Sequence, residues 1–167
     1  MKVLLIRHAR AQERTAQAAL ARRDHARRLT DAGRKDMRRA AKGLRKIVPD
    51  LDILASSPLV RARETAEIIE RVFGGPAITE LAALAPGAAP EELLGWLREQ
   101  HVSTVALVGH EPDLSCMAAY LLSGEARGFI EMKKGAACMI EFESAPAAGT
   151  GTLGWLLAPG QLRRLAE

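Results

Sequence analysis

The chain has few aromatic residues, only two cysteines and no long hydrophobic run, and each shortage argues against a class of protein. Aromatic residues make up 4% of the chain, so the core has to be built from Leu, Val, Ile and Ala. Cys116 and Cys138 stand apart without C-x-x-C spacing, which disfavours a disulfide framework and a zinc site. No apolar stretch approaches the ~20 residues that span a bilayer. The N-terminal run stops at Arg7, too early for a signal peptide, so we expect a cytoplasmic protein without a membrane partner.

Length and composition are typical of one globular domain. A chain of 167 residues is long enough to bury one adequate core. Its 48% hydrophobic and 26% charged residues are ordinary for such a domain. The chain contains no internal repeat and no linker-like segment. We therefore expect a single domain over residues 1–167, and we expect it to be a monomer.

Positive charge is concentrated in residues 22–46, where eleven Lys or Arg residues accompany three Asp. Such a stretch can be a footprint for nucleic acid or another polyanion. However, no aromatic residue lies within it to stack on bases, and it overlaps an amphipathic helix whose solvated face has to be polar. We therefore interpret it as a helix surface with no nucleic-acid partner, which could also steer acidic proteins toward the chain.

Apolar periodicity alternates between strand and helix along the chain. Short apolar runs predict strands, and apolar residues at spacings of three and four predict helices. The segment 81–89, rich in Ala and Pro, is expected to be a loop. The alternation predicts an α/β layer fold with a largely parallel sheet. The predicted strands are 2–7, 51–55, 76–79, 104–108, 136–142 and 152–157, and the predicted helices are 14–21, 31–48, 58–73, 90–100 and 112–122.

Capping residues predict where two of the helices begin. Thr30 has the position and side chain of an N-cap for the helix that ends before Pro49. Ser57 and Pro58 suit the N-cap and the first position of the next helix. The first of these helices should bury one apolar stripe, which is formed by Met37, Ala40, Ala41, Leu44, Ile47 and Val48.

The most informative feature is the pair Arg7-His8, which follows the apolar run Val3–Ile6. The run predicts a buried strand, so the pair falls at the carboxyl end of that strand. Ligands bind at this edge in open α/β sheets. A histidine there can be a nucleophile, a general base or a metal ligand, and the adjacent arginine favours an anionic, phosphate-like substrate.

Two further strand ends carry side chains of the same kind. Arg61 lies in the first turn of the helix after the second strand, and His110 follows the strand that ends in Val108-Gly109. Alone, Arg61 would be a salt-bridge partner, for example of Glu64 or Glu67, and His110 a hydrogen-bonded surface residue. Since parallel strands place their carboxyl ends at one edge, we expect both to converge with the first pair on a phosphoryl group.

These residues lie in motifs that resemble those of the histidine phosphatase superfamily, which includes phosphoglycerate-mutase-like enzymes. Residues 5–9 (LIRHA) resemble its R-H-G/A signature, and residues 27–33 (RRLTDAG) its R-P-L-T-x-x-G segment. Residues 56–66 (SSPLVRARETA) resemble S-S-P-L-x-R-A-x-x-T-A, and residues 108–112 (VGHEP) match V-G-H-E-P. The short length, the V-G-H-E-P form and residues 132–135 (MKKG) are typical of the SixA-type phosphohistidine phosphatases in that superfamily.

The resemblance implies a three-layer α/β/α sandwich with a mostly parallel central sheet, and a role for each residue of the site. His8 would be the nucleophile and form a phosphohistidine intermediate, Arg7 and Arg61 would clamp the phosphoryl oxygens, and His110 would hydrogen-bond the transferring group. No metal and no cofactor is implied. The chemistry is consistent, because phosphoryl transfer needs mainly positioning and charge stabilisation. Arg28 departs from the motif, which has proline at that position.

The sequence also departs from the superfamily at the acid that many members carry after the second arginine segment. That acid protonates an alcohol leaving group, but the expected position holds Ala83, and Glu80 lies nearby in a different register. An alkoxide needs a general acid, whereas an imidazole leaving from phosphohistidine is a better leaving group. We therefore predict a metal-independent phosphatase acting on phosphohistidine in a protein, with a histidine-phosphotransfer domain as one candidate partner.

Two alternatives stay open at this point. A small-molecule phosphomonoesterase or mutase would use the same His8 and would place Glu80 or Glu111 in the pocket as the acid. A non-catalytic polyanion-binding module would use the basic residues 22–46, and its binding would survive loss of His8.

Overall fold

A mixed sheet lies at the centre of the fold in the computed structural model, which describes residues 1–13 and 24–167. Within these residues the sheet has six strands, with bounds β1 Lys2–Arg7, β2 Ile53–Ser56, β3 Ile78–Glu80, β4 Thr104–Gly109, β5 Ala137–Glu141 and β6 Thr152–Leu157. Their order is β3-β2-β4-β1-β5-β6. The first four in this order are parallel, and β5 and β6 add an antiparallel pair at the β1 side. The predicted helix 14–21 lies outside the described residues.

Helices cover both faces of the sheet, which confirms the predicted three-layer α/β/α sandwich. Side chains of α1, α2 and α5 join one core cluster, and side chains of α3 and α4 join the other. A 3-10 turn at Ala82–Leu84 lies within the segment predicted as a loop. The bounds of the helices are α1 Asp31–Ile47, α2 Val60–Phe73, α3 Pro90–Arg98, α4 Asp113–Ser123 and α5 Pro159–Leu165.

The sequence of β1 reflects burial on both faces. Leu4 and Ile6 point into one core cluster, whereas Val3 and Leu5 point into the other, and none of the four is exposed to solvent. A strand in the middle of a parallel sheet reads as a continuous apolar run for this reason. The first polar residues after the run are therefore the first ones that reach the edge of the sheet.

Helix α1 begins as its sequence predicts. The Thr30 side chain accepts a hydrogen bond from the Gly33 N–H at 3.0 Å. Gly33 also lets the helix approach the segment that follows β1, because a Cβ there would collide with the carbonyl oxygen of Arg10. The predicted stripe is buried except at Ile47, which is 39% exposed. Ile47 is the last residue of the helix and lies on a shallow apolar surface beside Trp155.

The predicted start of α2 is wrong by two residues. The helix begins at Val60, and Leu59 is its N-cap without a side-chain hydrogen bond. Ser57 therefore is not the N-cap, and Pro58 is not the first helical residue. The Ser57 hydroxyl accepts a weak hydrogen bond from the Leu59 N–H at 3.3 Å and contacts His110, so it belongs to the turn between β2 and α2.

Helix α5 is not predicted by the sequence pattern, because seven residues are too few to establish a helical period. It packs against α1, where Gly43 allows the closest approach. A Cβ at Gly43 would collide with the carbonyl oxygen of Leu162. Among residues 1–13 and 24–167, no helix combines the length and the apolar character that crossing a membrane requires.

Candidate active site

The carboxyl ends of β1, β2 and β4 bring the two predicted histidines together. Arg7 pairs with Gly109 in the parallel register, and the N–H of His8 donates to the Gly109 carbonyl at 3.0 Å. His110 follows directly, so the two rings lie side by side with centroids 5.2 Å apart and planes tilted by 54°. Both rings are almost completely buried, with 6% of His8 and 3% of His110 exposed.

A hydrogen bond determines which nitrogen of His8 carries the proton. Nδ1 lies 2.7 Å from the carbonyl oxygen of Ala9. A carbonyl oxygen can only accept, so Nδ1 has to be the donor in this contact. The lone pair of the neutral ring is then on Nε2, and Nε2 is the atom of His8 that can act as a nucleophile.

The surroundings of both rings hold them in the uncharged form. Burial lowers the pKa of His8 to about 4, with further lowering by Arg61, Arg7 and Lys134, while the Ala9 carbonyl opposes the shift. Burial also lowers the pKa of His110 to about 3, assisted by the charge of Arg61. Both imidazoles are therefore neutral at physiological pH, as an attacking nitrogen has to be.

His110 is oriented by the turn between β2 and α2. Its Nε2 lies 2.8 Å from Ser57 Oγ. Its Nδ1 is buried and has no hydrogen-bond partner within residues 1–13 and 24–167. A buried polar atom without a partner is costly, so this nitrogen is suited to contact a bound ligand.

Arg7 is held by the segment that precedes β5. Its Nη1 donates to the Met132 carbonyl at 2.6 Å, while its buried Nε has no acceptor among the residues that the structure describes. Glu111 holds the same peptide from the other side, because Oε1 accepts from the Met132 N–H at 3.1 Å and Oε2 from the Ser115 hydroxyl at 2.6 Å. Glu111 therefore acts on Arg7 through Met132.

Arg61 contacts a residue that sequence reasoning did not identify. Its Nη1 donates to the Asp24 carbonyl at 2.8 Å, and its Nη2 lies 3.3 Å from Asp24 Oδ2. The alternative partners Glu64 and Glu67 are engaged elsewhere, Glu64 with Arg28 and Glu67 with Arg63 and Arg71. No sequence signal pairs Asp24 with Arg61, since the two are far apart in the chain.

Glu64 ties the segment before α1 to α2. It accepts a hydrogen bond from the Leu29 N–H at 2.7 Å and pairs with Arg28 at 2.9 Å and with Arg34 at 2.5 Å. Burial raises the pKa of this carboxyl, but the hydrogen bonds from Leu29, Arg34 and Arg28 outweigh it, so the pKa lies below its ordinary value. Arg28, which stands where the motif has proline, thus takes part in an ion-pair network.

Thr65 joins the segment that follows β1 to the first turn of α2. Its hydroxyl accepts from the Ala9 N–H at 3.0 Å and donates to the Arg61 carbonyl at 2.7 Å. The residue is completely buried. The sequence signal for this contact was Thr65 itself, which is the threonine of the S-S-P-L-x-R-A-x-x-T-A motif.

The two glutamates predicted as alternative acids are both engaged. Glu80 ends β3 and pairs with Arg63 at 3.0 Å, with about half of each side chain exposed. Glu111 holds Met132 and Ser115. Ala83 lines a pocket of about 220 Å³ together with His110 and Asp113, so the position at which an acid was expected does face this site. Asp113 Oδ1 accepts from the Gly87 N–H at 3.3 Å.

Within the described ranges, no group of three or more His, Cys, Asp or Glu residues is arranged to hold a metal ion. The groups that can contact a ligand here are the two guanidiniums and the two imidazoles. Arg7 and Arg61 can offer N–H donors to an oxyanion in a planar, bidentate geometry. The arrangement is thus suited to hold a phosphoryl group beside His8 Nε2.

The fold and this site define a class of protein: a three-layer α/β/α domain with paired histidines and arginines at the carboxyl edge of its parallel strands. Residues 3–85 match the model of the histidine phosphatase superfamily (branch 1). The chain belongs to the histidine phosphatase superfamily, as its motifs predicted. It is also 31% identical over 137 residues to an uncharacterized protein of Picosynechococcus sp., covering 80% of this chain and 81% of that protein.

Solved structures of the superfamily have the same fold. The protein histidine phosphatase SixA complexed with tungstate superposes with a TM-score of 0.83 at 23% identity, over 97% of this chain and 99% of that chain. A candidate phosphohistidine phosphatase SixA of Agrobacterium tumefaciens gives 0.74 at 25% identity, over 95% and 97%. The alpha-ribazole phosphatase of Shigella flexneri gives 0.75 at 19% identity, over 95% and 97%.

Proposed function

We propose that this protein removes phosphoryl groups from phosphohistidine in proteins, through a phosphohistidine intermediate on its own His8. The observation that carries the proposal is Ala83. It lines the pocket beside His110, so this position offers a methyl group where an acid for an alcohol leaving group is expected. Loss of that acid is harmful for an alkoxide, which has to be protonated, and tolerable for an imidazole.

The first step transfers the phosphoryl group to His8. Nε2 of His8 attacks phosphorus with its lone pair, the P–N bond to the substrate histidine breaks, and the leaving imidazole nitrogen takes a proton from water. The ring of His8 gains positive charge when Nε2 is bonded to phosphorus. The Nδ1–H contact to the Ala9 carbonyl stabilises that charge, because hydrogen bonds involving an ionised partner are the stronger ones.

Arg7, Arg61 and His110 stabilise the phosphoryl group during transfer. The buried Arg7 Nε gains an acceptor when a phosphoryl oxygen binds. If the Ser57 hydroxyl donates to Nε2 of His110, Nδ1 of His110 carries a proton and becomes a second donor to the same group. Donors that are already positioned where charge develops lower the barrier most.

The second step regenerates the enzyme. Water attacks phosphorus, the P–Nε2 bond of His8 breaks, and inorganic phosphate leaves while a water proton passes to solvent. The electron pair of the broken bond stays on Nε2, so the ring is neutral again, and its lowered pKa of about 4 keeps it neutral for the next cycle. No step in this sequence requires a metal or a cofactor.

The similarity to SixA structures supports the phosphohistidine substrate. One of them is a protein histidine phosphatase in complex with tungstate, an oxyanion that is chemically similar to phosphate. A surface-exposed phosphohistidine, such as that of a histidine-phosphotransfer domain, is the partner we propose. The positive net charge of +4 favours association with an acidic protein of this kind.

One observation favours a second candidate function, hydrolysis of small phosphate esters. Asp113 lines the same pocket as His110 and Ala83, and a carboxyl group there could protonate an alkoxide. Other superfamily structures carry such activities in their names, among them the alpha-ribazole phosphatase. In this case Asp113 would take the role of the acid that Ala83 cannot perform.

The two candidates are separated by one set of assays. Purified protein is offered a phosphohistidine peptide and a panel of sugar phosphates, with His8→Asn and Asp113→Asn variants beside the wild type. Release from the peptide that requires His8 and tolerates loss of Asp113 supports the phosphohistidine phosphatase. Faster release from a sugar phosphate that requires Asp113 would favour the esterase. Binding of anions without any phosphate release would favour the polyanion-binding module.

A further inference from the structure

A second pocket adjoins the site on the α1 face of the sheet. It has a volume of about 360 Å³, which is within the range of small-ligand pockets. Apolar side chains such as Met37 and Pro159 form part of its wall. We call it the cationic pocket, because its lining includes Arg7, Arg10, Lys133, Lys134 and Arg163, together with Asp36 and Glu131.

Most of the positive charge in the cationic pocket is not neutralised. Asp36 approaches Arg163 only to 3.8 Å. Within the described part of the chain, Arg10, Lys133 and Lys134 have no carboxylate at salt-bridge distance. Among the described lining residues, five cationic groups against two carboxylates give this wall a positive charge, so it is complementary to an anion.

The pocket is connected to the catalytic site through Arg7, which lines it and whose buried Nε has no acceptor among residues 1–13 and 24–167. Lys134 lies close enough to His8 to influence its charge. On the opposite face, the described lining of the pocket beside His110 contains no Lys or Arg, consists mainly of Ala, Leu and Gly, and includes the carboxyl group of Asp113. The two flanks of the phosphoryl site therefore differ in charge.

We propose that the cationic pocket is a specificity subsite, which binds a carboxylate side chain of the substrate protein close to its phosphohistidine. This inference rests on the proposed function. A substrate segment whose phosphoryl group contacts Arg7 places one of its flanks over the cationic pocket and the other over the pocket beside His110, where Asp113 is the charged residue of the described lining. An Asp or Glu on the first flank is attracted by Lys133 and Arg163, and it gains nothing on the second flank.

The test uses matched pairs of phosphohistidine peptides that differ only by Glu or Gln, with the substitution placed before or after the phosphohistidine. We expect wild-type protein to hydrolyse the Glu peptide with about fivefold higher kcat/KM on one flank only. This preference should shrink at high ionic strength. Lys133→Ala and Arg163→Ala should each bring the Glu/Gln ratio toward one. Arg164→Ala removes the neighbouring charge on α5, outside the pocket lining, and should keep the wild-type ratio.

Equal rates for Glu and Gln peptides on both flanks would overturn the subsite and leave the proposed function intact. A preference that persists in both Lys133→Ala and Arg163→Ala would also overturn it. If no peptide is hydrolysed while small phosphate esters are, the proposed function fails and the inference fails with it. In that case, a turnover of anionic esters that depends on Lys133 would assign the cationic pocket to a small molecule instead.

Discussion

At the scale of single residues, the proposed chemistry depends on how burial and one carbonyl group hold His8 in its neutral form. The Ala9 carbonyl directs the proton to Nδ1, and the lack of solvent keeps Nε2 unprotonated. Arg7 and Arg61 add positive charge nearby, which both repels a proton from the ring and attracts a phosphoryl group. The same burial that makes His8 a weak base therefore keeps it available as a nucleophile.

Replacement of His8 provides the most direct test of its role. His8→Asn should abolish the phosphoenzyme and lower phosphate release by roughly a thousandfold or more, since the proposed reaction proceeds through a bond between phosphorus and Nε2 of His8. The measurement is trapping of labelled phosphoenzyme together with steady-state phosphate release. His101→Asn, which alters an exposed histidine, is the matched control and should retain wild-type activity. A labelled intermediate in His8→Asn would contradict the assignment.

The pH dependence of the ring offers a second test. Because burial lowers the pKa of His8 to about 4, the ring should stay neutral down to about pH 5, whereas an ordinary imidazole is half protonated near 6.5. We expect an NMR titration, with resonances assigned by comparison with His8→Asn, to show no protonation of His8 at pH 6. A midpoint near the ordinary value would contradict the desolvated environment.

At the scale of elements, the segment before β5 is tied to the turn after β4 through Glu111. We expect Glu111→Ala to lower kcat/KM by about 10- to 100-fold, because the Met132 peptide and the Arg7 guanidinium lose their position. Glu111→Gln should recover most of this loss, since an amide can still accept from the Met132 N–H and donate to the Ser115 hydroxyl. If Glu111 were the general acid, Gln would be as inactive as Ala, which steady-state kinetics will distinguish.

Packing of α5 on α1 makes a prediction about stability. Gly43→Ala should destabilise the protein by about 2 to 3 kcal/mol despite better helix propensity, because the new methyl group meets the Leu162 backbone. Gly95→Ala is the matched control in α3, where nothing lies within 4 Å of the added Cβ. This variant should gain about 0.5 to 1 kcal/mol. Urea unfolding of both variants measures the difference, and equal stability would contradict the close approach.

At the scale of the whole molecule, the buried histidines couple folding to pH. Below about pH 6.5 the unfolded chain takes up protons on histidines that the folded chain keeps neutral down to about pH 4 for His8 and about pH 3 for His110. Above pH 6.5 the two histidines therefore do not lower the free energy of unfolding. As the pH drops toward 4, that free energy falls by on the order of 3 kcal/mol for each ring.

The corresponding measurement is the free energy of unfolding from pH 7 to pH 4. We expect the His8→Asn variant to lose less stability than the wild type over this range, because one of the two coupled groups is gone. The lowered pKa of Glu64 adds a further loss at lower pH in both proteins. Identical slopes for wild type and variant would show that His8 is not buried in its neutral form.

Features that depend on local sequence patterns could be predicted, whereas features that depend on contacts between distant parts of the chain could not. The strands follow from short apolar runs and the longer helices from apolar spacings of three and four, which are local properties, and Thr30 caps α1 as predicted. The start of α2 was misplaced, because Ser57 contacts His110 instead of capping the helix. Helix α5 was missed, because its seven residues depend on α1 for their packing.

The sequence by itself determined which side chains reach the ligand edge, because Arg7, His8 and His110 follow strands whose apolar runs have to be buried. Only the tertiary structure decided their chemical state, since it depends on groups distant in the chain. The contact of Arg7 with Met132 spans 125 positions, and the pairing of Arg61 with Asp24 spans 37. The hydrogen bond that places the proton on Nδ1 of His8 and the burial that lowers the pKa of this ring exist only after the sheet and helices have assembled around His8.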